Sequence, residues 1–314
     1  MNRKVHQNYI GIDVSKLWID VAINGIVKKV DQNKNAICSL IKEQIAPLRG
    51  RTLCVLESTG GYERLVSRLL HRAGIEVHIA HPNKVVAFAR AKGRLAKTDQ
   101  IDARILAEYG QFIRSDEIRQ PASEMQENMQ ALRARMRQMK DIRHQEYCRL
   151  EMADDSYVKR SIESVLKLLD AQISDIIKSL EQLISKDKAL IANYKIMRSM
   201  KGVGPMLCLS LLVDLPELGV LNKKQIAALV GVAPITIQSG QKSGKSCIRY
   251  GRGDVRKVLY MAALSALRFN ERMKVFYERL IGSGKPKKVA VVAVMRKMLI
   301  TLGAMIKAQR EWQV

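Results

Sequence analysis

The chain has 314 residues, 47% of them hydrophobic and 27% charged, so it can bury the core of one large domain or of two to three small ones and is not globally disordered. Its 54 Lys and Arg residues against 30 Asp and Glu give a net charge of +24, which indicates a polyanionic partner, with nucleic acid ahead of an anionic membrane surface. We expect no membrane-spanning segment and no secretory signal, and the five scattered cysteines, without a CxxC pair, predict neither a zinc ribbon nor a disulfide framework and fit a reducing cytoplasm.

The predicted elements of residues 1–122 alternate between strands and helices. Such alternation indicates an α/β domain whose sheet contains some parallel strands. Apolar runs rich in β-branched residues predict the strands, and a turn is expected at 81–83. The strands are predicted within 9–23 (two, around Ser15-Lys16), at 53–57 and at 76–79, and the helices at 62–73 and 98–111.

Four carboxylates of this domain are candidates for a metal site. Asp13 interrupts an apolar strand, where an unpaired charge is costly, and Glu57 ends another apolar strand, at the kind of sheet edge where ligands commonly bind. Asp99 and Asp102 share one face of a predicted helix and repel unless a cation lies between them. Taken alone, each residue is better explained as an ordinary turn or helix-terminal charge. Their joint placement favours one or two Mg²⁺ ions, which prefer oxygen ligands and can position the oxygens of a phosphodiester.

The segment GIDVSK over residues 11–16 also resembles the first phosphate loop of the sugar-kinase and actin class. That class needs a second loop of the Asp-Gly-Thr type and a glycine pair at the adenosine site, and the sequence shows neither. A net charge of +24 is also unusual for a metabolic kinase. We therefore do not favour a kinase.

Residues 123–186 contain neither Pro nor Gly and carry apolar residues at heptad-like spacing. The segment predicts two long helices, separated at Asp154-Asp155-Ser156. Two interpretations stay open: an antiparallel hairpin packed within the chain, or a coiled coil that joins protomers. The first apolar series is Met125, Met129, Leu132, Met136 and Met139, and the second is Ile162, Val165, Leu169, Ile173, Ile176, Leu180 and Leu183.

Residues 187–314 are predicted to be mainly helical, and they hold most of the excess positive charge. Residues 201–314 have a net charge of +14 against +10 for the first 200, so we expect the main nucleic-acid surface here. Residues 197–212 resemble a helix–hairpin–helix motif, whose turn offers backbone N–H groups to a phosphate oxygen. Lys201, Gly202 and Gly204 are therefore candidate nucleic-acid contacts, and a plain corner between two helices is the alternative.

Ser239 is the candidate nucleophile. It is followed by Gly240, which lets a phosphate approach, and it ends the apolar segment 233–238, whereas Ser243 and Ser246 are expected in a looser stretch. A serine hydroxyl needs a base or a positive field to become reactive, and nearby cations stabilise a phosphoryl transition state. A loop that only grips phosphate is the alternative. The surrounding cations, all candidate nucleic-acid contacts, are Lys242, Lys245, Arg249, Arg252, Arg256 and Lys257.

Six segments together resemble one family, the DEDD transposases of bacterial insertion sequences (the IS one-ten family, which includes the Piv-type DNA invertases). The combination and its spacing are specific, whereas each segment alone is not. The segments are GIDVSK (11–16), LESTGGYE (56–63), AKTDQIDARILAEYG (96–110), APITIQSG (233–240), GRGDVRKVLYMAAL (251–264) and FYERLIGSGKPKKVAVVAVMRKML (276–299).

This resemblance implies a fold for each part of the chain and a role for the candidate residues. Residues 1–122 would form a ribonuclease-H-like, Holliday-junction-resolvase-like catalytic domain, residues 123–186 a helical coiled-coil linker, and residues 187–314 a mainly α domain that carries the serine. The metal-binding carboxylates would be Asp13, Glu57, Asp99 and Asp102, with Mg²⁺ as the cofactor, and Ser239 would be the covalent nucleophile.

The resemblance also implies partners. Double-stranded DNA, as element ends and target, would be the substrate, a bridging non-coding RNA would guide it, and the protein would form homo-oligomers from dimer to tetramer in which the acidic domain of one protomer meets the serine domain of another. The sequence thus predicts a prokaryotic, cytoplasmic transposase that acts through a serine–phosphate intermediate. A site-specific invertase, a metal-dependent junction nuclease and a non-catalytic nucleic-acid-binding protein are the alternatives.

Overall fold

The computed structural model describes residues 6–93, 99–118, 123–235, 238–239, 242–243 and 247–313, with the backbone alone at 99–101, 116, 238–239 and 242–243. The chain divides into two compact units, Met1–Ala122 and Ser123–Val314. The helices predicted over residues 123–186 fall within the second unit.

A five-stranded mixed sheet forms the centre of the first unit. Its strands are β1 (Asn8–Val14), β2 (Trp18–Ile23), β3 (Ile26–Asp31), β4 (Thr52–Glu57) and β5 (Glu76–Ala80). They lie in the order β3-β2-β1-β4-β5. Strand β2 is antiparallel to both β1 and β3, and β4 is parallel to both β1 and β5. The mixed sheet agrees with the predicted α/β domain. Strand β3 was not predicted from the sequence.

The helices of this unit are α1 (Lys34–Leu40), which continues as a π-helical turn (Ile41–Ile45), then α2 (Glu63–Arg72), α3 (Pro82–Ala91) and α4 (Asp99–Gly110), followed by a 3-10 turn (Ser115–Glu117). The turn expected at 81–83 is in fact the start of α3. The His81 side chain accepts a hydrogen bond from the Asn83 backbone N–H, and Pro82 occupies the first helical position, where its missing N–H costs nothing. Helix α1 was also not predicted.

The two faces of the sheet pack against different helices. Ile10 and Ile12 of β1 lie in one buried cluster with residues of α1 and α2, and Val55 of β4 lies in another with residues of α3 and α4. Because successive side chains of a strand point to opposite faces, Gly11 and Asp13 lie on the face that α4 covers. This alternation places Asp13 beneath a helix.

The second unit is mainly helical, as predicted, and contains a two-stranded hairpin. The helices are α5 (Glu124–Met152), α6 (Ser156–Ser185), α7 (Lys188–Ser199), α8 (Pro205–Asp214), α9 (Lys223–Val230), α10 (Gly253–Phe269), α11 (Glu271–Gly282) and α12 (Lys287–Ala308), and the strands are β6 (Gln238–Ser239) and β7 (Lys242–Ser243).

Helices α5 and α6 fold back on each other within the chain. Asp155 caps α6 by accepting hydrogen bonds from the N–H groups of Tyr157 and Val158, so the turn between the two helices is short. Methionines of α5 and leucines and isoleucines of α6 from the predicted series are buried together, whereas Val165 is 40% exposed. The intrachain hairpin is thus present, and the association of protomers through these helices stays a prediction.

Helix α12 lies in the core of the second unit and packs against α7, α9, α10 and α11. Val294, Met298 and Leu302 are fully buried along it. Among the described residues it is the one helix long and apolar enough to cross a membrane. Half of its most apolar stretch is buried inside the unit, as expected for a core helix.

All five cysteines lie in the described part of the chain and are free thiols. Burial raises the pKa of the Cys54 thiol far above its ordinary value and that of Cys208 to about 12, so both remain protonated and pack as small apolar side chains.

Candidate active site

Two of the predicted carboxylates lie side by side on neighbouring parallel strands. Ile12 of β1 is the register partner of Leu56 of β4, and the next residues along these strands are Asp13 and Glu57. Register partners in a sheet project from the same face, about 5 Å apart. Both acids are half-buried at the carboxyl ends of their strands, where ligands bind in open α/β sheets.

Gly11 explains why α4 lies so close to this strand. A Cβ at Gly11 would lie 1.9 Å from the carbonyl oxygen of Ala103 and 2.4 Å from the nitrogen of Ala107, so only glycine allows the helix backbone to approach. At the other end of the contact, a Cβ at Gly110 would lie 2.9 Å from the Tyr9 ring. Helix α4 therefore crosses β1 in the antiparallel direction, with its N-terminus at the end of β1 that carries Asp13.

This direction brings the other two predicted acids to the same end of the sheet. Asp99 is the first residue of α4, and Asp102 lies half-buried in its first turn. The backbone of Asp99 is four residues before Ala103, the residue that contacts Gly11, and so lies on the same side of the helix. The structure thus places three predicted carboxylates and the backbone of the fourth at one end of one sheet face.

Asp20 is a carboxylate that the sequence analysis missed. It is the direct register partner of Asp13 on the antiparallel strand β2, and it is only 2% exposed. The signal was available, because Asp20 interrupts the apolar run WIDVAI as Asp13 interrupts IGIDV. Each of these four acids has at least one interaction partner: Asp13, Asp20, Glu57 and Asp102.

Binding of a metal ion by these carboxylates depends on further ligands, such as waters or phosphate oxygens. Among the side chains that the structure describes, no three His, Cys, Asp or Glu converge closely enough to hold a metal ion. Carboxylate oxygens suit Mg²⁺, which keeps several waters and is commonly bound by one or two carboxylates together with substrate phosphates rather than by a complete protein cage. The donor set therefore fits an ion that binds together with nucleic acid.

A buried glutamate fixes the loop after Glu57. The carboxylate of Glu63, 7% exposed, accepts hydrogen bonds from the backbone N–H groups of Thr59 (3.1 Å) and Gly61 (2.9 Å). Gly60 and Gly61 adopt φ values of 63° and 108°, which favour glycine. Within the LESTGGYE motif, Gly60 and Gly61 thus allow the backbone conformation of the loop, and the Glu63 carboxylate closes it.

The predicted nucleophile lies in a short β-hairpin. Ser239 of β6 is the register partner of Lys242 of β7, and Gln238 is the partner of Ser243. Ser243, expected in a looser stretch, therefore also belongs to a strand, so strand anchoring does not distinguish it from Ser239. Gly240, Lys245 and Ser246 lie outside the described residues.

Backbone contacts close the base of the serine hairpin. Ile235 and Cys247 exchange two backbone hydrogen bonds of 2.9 and 3.2 Å. Below them, a Cβ at Gly251 would lie 2.5 Å from the nitrogen of Gly231, so the two chain segments touch through their glycines. The chain segments on either side of the hairpin therefore meet in a narrow neck at the end of α9 and the start of α10.

Two of the predicted phosphate contacts, Arg252 and Arg256, form hydrogen bonds within the protein, and their contact with nucleic acid stays a prediction. The Arg252 guanidinium makes a bidentate ion pair with Glu217, with both hydrogen bonds 2.6 Å, and donates to the Asp214 carbonyl at 2.8 Å. Arg256 donates to the carbonyls of Val230 (3.2 Å) and Tyr250 (2.5 Å). These contacts support a role in closing the neck of the hairpin for both arginines.

Arg249, Lys257 and Lys201 are exposed and stay candidates for phosphate contact. Lys201 begins the predicted turn, in which Gly202 has a φ of 91°. Gly204 precedes α8 without a side-chain cap, so the first turn of that helix is not covered by a capping side chain. The helix–turn–helix geometry of 197–212 is as predicted, and nucleic-acid binding by the turn stays a prediction.

Two family models match the chain. One, described as a transposase of the DEDD type from IS110 elements, covers residues 10–153, and the other, the transposase IS116/IS110/IS902 family, covers residues 194–278. The chain belongs to the IS110 family of transposases. The first match contains the acidic residues and the second contains both the Lys201–Gly204 turn and the serine hairpin. Members of this family are DNA-recombining enzymes and are generally metal-dependent.

The chain is also similar to curated proteins along its whole length. It is 28% identical to the pilin gene-inverting protein of Moraxella lacunata over 317 residues and 29% identical to that of Moraxella bovis over 321 residues, in each case across 97% of both chains. It is 29% identical over 145 residues, 44% of the chain, to an IS900 42 kDa protein of Mycobacterium paratuberculosis, of which the match spans 35%.

Proposed function

We propose that this IS110-family member is the transposase of an insertion sequence, and that it cuts and rejoins double-stranded DNA through a covalent bond between Ser239 and a DNA phosphate. The observation that carries the proposal is the row of carboxylates Asp20, Asp13 and Glu57 on adjacent strands, with the N-terminus of α4 at the same end. The first unit would have the ribonuclease-H-like fold. The order of its five strands, three antiparallel and then two parallel, supports this assignment.

The proposed reaction is a pair of transesterifications. The Ser239 oxygen attacks a phosphorus, a serine–phosphate bond forms, the bond from that phosphorus to one sugar oxygen breaks, and the serine proton is balanced by the proton that the leaving oxygen takes up. A second sugar hydroxyl then displaces the serine. Because each step exchanges one phosphate ester for another, no nucleotide hydrolysis is needed.

The carboxylates would hold the divalent cation in this scheme. Mg²⁺ bound there would supply Lewis-acid polarisation of the scissile phosphate and lower the pKa of the attacking hydroxyl. Asp13 and Glu57 would provide its oxygen ligands together with Asp99 and Asp102 of α4. The acidic residues and Ser239 belong to different units, and the family resemblance implies that they act from different protomers of a dimer or tetramer.

A guide RNA is a further part of the proposal, and an invertase is the second candidate function. The excess of positive charge supports an RNA partner in addition to DNA. The match to the two pilin gene-inverting proteins across 97% of both chains favours site-specific inversion without RNA. Recombination by protein freed of RNA with ribonuclease would favour the invertase, and recombination restored only by added RNA would favour the transposase. Either enzyme would act on DNA in the cytoplasm.

The experiment that tests the proposal is detection of a covalent DNA–protein species on a denaturing gel, followed by peptide mapping. We expect the adduct with the wild type, none with Ser239→Ala, and retained adducts with the matched variants Ser243→Ala and Ser246→Ala. Asp13→Asn and Asp102→Asn should abolish the adduct without unfolding the chain, as should EDTA. DNA cleavage without any adduct would instead support a junction nuclease, and an adduct that maps to Ser243 or Ser246 contradicts the assignment of Ser239.

A further inference from the structure

Cations gather around two aromatic rings on the surface of the second unit. Nζ of Lys297, on α12, lies 4.2 Å from the ring centroid of Phe276, and Cζ of Arg279 lies 5.3 Å from the same centroid. Cζ of Arg272 lies 5.3 Å from the centroid of the Trp312 ring. Arg272, Phe276 and Arg279 follow one another at spacings of four and three residues and therefore share one face of α11.

The three cations have no acidic partner among the residues that the structure describes. Within the described ranges, none of Arg272, Arg279 and Lys297 forms an ion pair. Partial burial and then the charges of Arg279 and Arg272 lower the pKa of Lys297, so the three groups repel one another. Cation–aromatic contacts of about 0.5–1 kcal/mol each at exposed sites offset part of this repulsion. An anion bound among them would remove it.

The cluster is held in place by the chain after α12. The backbone N–H of Trp312 donates to Oγ of Ser199 at 2.8 Å, and the Gln309 side chain donates to Oδ1 of Asn193 at 3.0 Å. Asn193 and Ser199 both belong to α7, so the ring beneath Arg272 is fixed on that helix. Groups already fixed in the free protein lose less entropy when a ligand binds.

Other contacts connect the Lys201–Gly204 turn to the end of α10 and the start of α11. A Cβ at Gly202 would lie 2.5 Å from Cα of Ala266, and the Asn270 side chain donates to the Lys201 carbonyl at 3.2 Å. Arg272 follows Asn270 by two residues. The buried Asn270, 4% exposed, thus links the Lys201–Gly204 turn to the first residues of α11, from which Arg272 extends.

We propose that Arg272, Arg279 and Lys297, here called the α11–α12 cation cluster, bind the phosphate backbone of duplex DNA and extend the phosphate contact of the Lys201–Gly204 turn. This rests on the proposed function in that the polyanion is the DNA substrate. Lys297 and Arg279 already lie against the Phe276 ring, so the cluster contacts phosphates and stacks no base. Phosphate contacts fix position along the duplex and are independent of sequence.

The test is the salt dependence of DNA binding by the full-length protein, measured by fluorescence anisotropy with a 30-base-pair duplex of unrelated sequence. Each phosphate contact contributes about −0.9 to the slope of log K against log salt. We expect Arg272→Gln/Arg279→Gln to reduce the slope by about two and to weaken binding at least tenfold at about 0.15 M salt. The matched control Lys274→Gln/Lys285→Gln removes two exposed cations outside the cluster and should leave the slope within half a unit of the wild type.

The arms of the experiment separate this proposal from its rivals. Circular dichroism verifies the fold, and Arg272→Lys/Arg279→Lys should retain the slope because both charges remain. Equal slopes for the glutamine variant and its control overturn the proposal. A loss confined to an RNA duplex, or to phosphatidylserine vesicles, with DNA binding unchanged overturns it as well.

Failure of the proposed function gives a different pattern. If the wild type forms no covalent adduct while the glutamine variant still shows the reduced slope, the serine chemistry fails and the cluster stands. If the adduct forms and the slopes are equal, the serine chemistry stands and the cluster fails.

Discussion

Asp13 and Asp20 are direct register partners on the antiparallel strands β1 and β2, and Asp20 is almost completely buried. Like charges directly opposite each other destabilise a sheet unless another group compensates them. The pairing of Asp13 with Asp20 therefore concentrates negative charge beside the N-terminus of α4. The candidate active site is thus wider than the four acids that the family resemblance identifies.

Asp20→Asn should weaken binding of the divalent cation. Two unit charges about 5 Å apart interact by about 3 kcal/mol at an effective dielectric constant of about 20, so we expect the Kd for Mn²⁺ to rise by about a hundredfold. Electron paramagnetic resonance of free Mn²⁺ in the presence of protein and duplex DNA measures this. The matched control is Asp31→Asn, which removes an exposed acid from β3 of the same sheet. Equal Kd values for both variants would show that Asp20 has no part in the site.

Gly11→Ala should displace α4 and with it Asp99 and Asp102. The new Cβ would overlap the backbone of Ala103 and Ala107. We therefore expect the free energy of unfolding to fall by about 3 kcal/mol or more, because backbone atoms cannot move aside as a side chain can. Hydrogen exchange of peptides from α4 should become faster, and covalent adduct formation should be lost. Gly282→Ala, where a Cβ meets nothing within 4 Å, is the control. Unchanged exchange in α4 would contradict the contact.

Arg252 and Lys257 should differ in their effect on DNA binding. Arg252 is paired with Glu217, so Arg252→Gln should reduce adduct formation while leaving the salt slope of binding unchanged. Lys257 is exposed, so Lys257→Gln should reduce the slope by about one. Anisotropy over 50–200 mM salt compares the two. A reduced slope with Arg252→Gln would restore this arginine to the DNA interface.

The hairpin of α5 and α6 should support self-association. Val165 and Leu168 are 40% and 58% exposed on α6, one turn apart, although apolar side chains at this spacing typically pack against a partner helix. Val165→Glu/Leu168→Glu should convert oligomers to monomers in light scattering of the purified protein. The control Ser161→Glu/Ser164→Glu adds the same charge to exposed polar positions of α6. A wild type that is monomeric with and without nucleic acid would leave only the intrachain role.

The sequence predicted the parts of the site that depend on local pattern. Asp13 and Glu57 could be recognised together because Asp13 interrupts one apolar strand and Glu57 ends another, and the heptad spacing predicted α5 and α6. The pairing of Arg252 with Glu217 could not be predicted, since 35 residues separate them and a basic loop has the same sequence pattern whether it binds phosphate or protein. The buried position of Asp20 depends on the register set by the turn between β1 and β2, which the composition of the turn does not specify.

The order of synthesis gives the position of α12 a consequence for incomplete chains. Domains fold as they emerge from the ribosome, so the sheet that carries Asp13 and Glu57 can form early, whereas the second unit lacks its central helix until residues 287–308 are made. A chain that stops before residue 287 would keep the carboxylates but could not bury the faces of α7, α9, α10 and α11 that α12 covers. The neck of the serine hairpin lies between α9 and α10. Prematurely terminated chains are therefore expected to form no covalent bond with DNA.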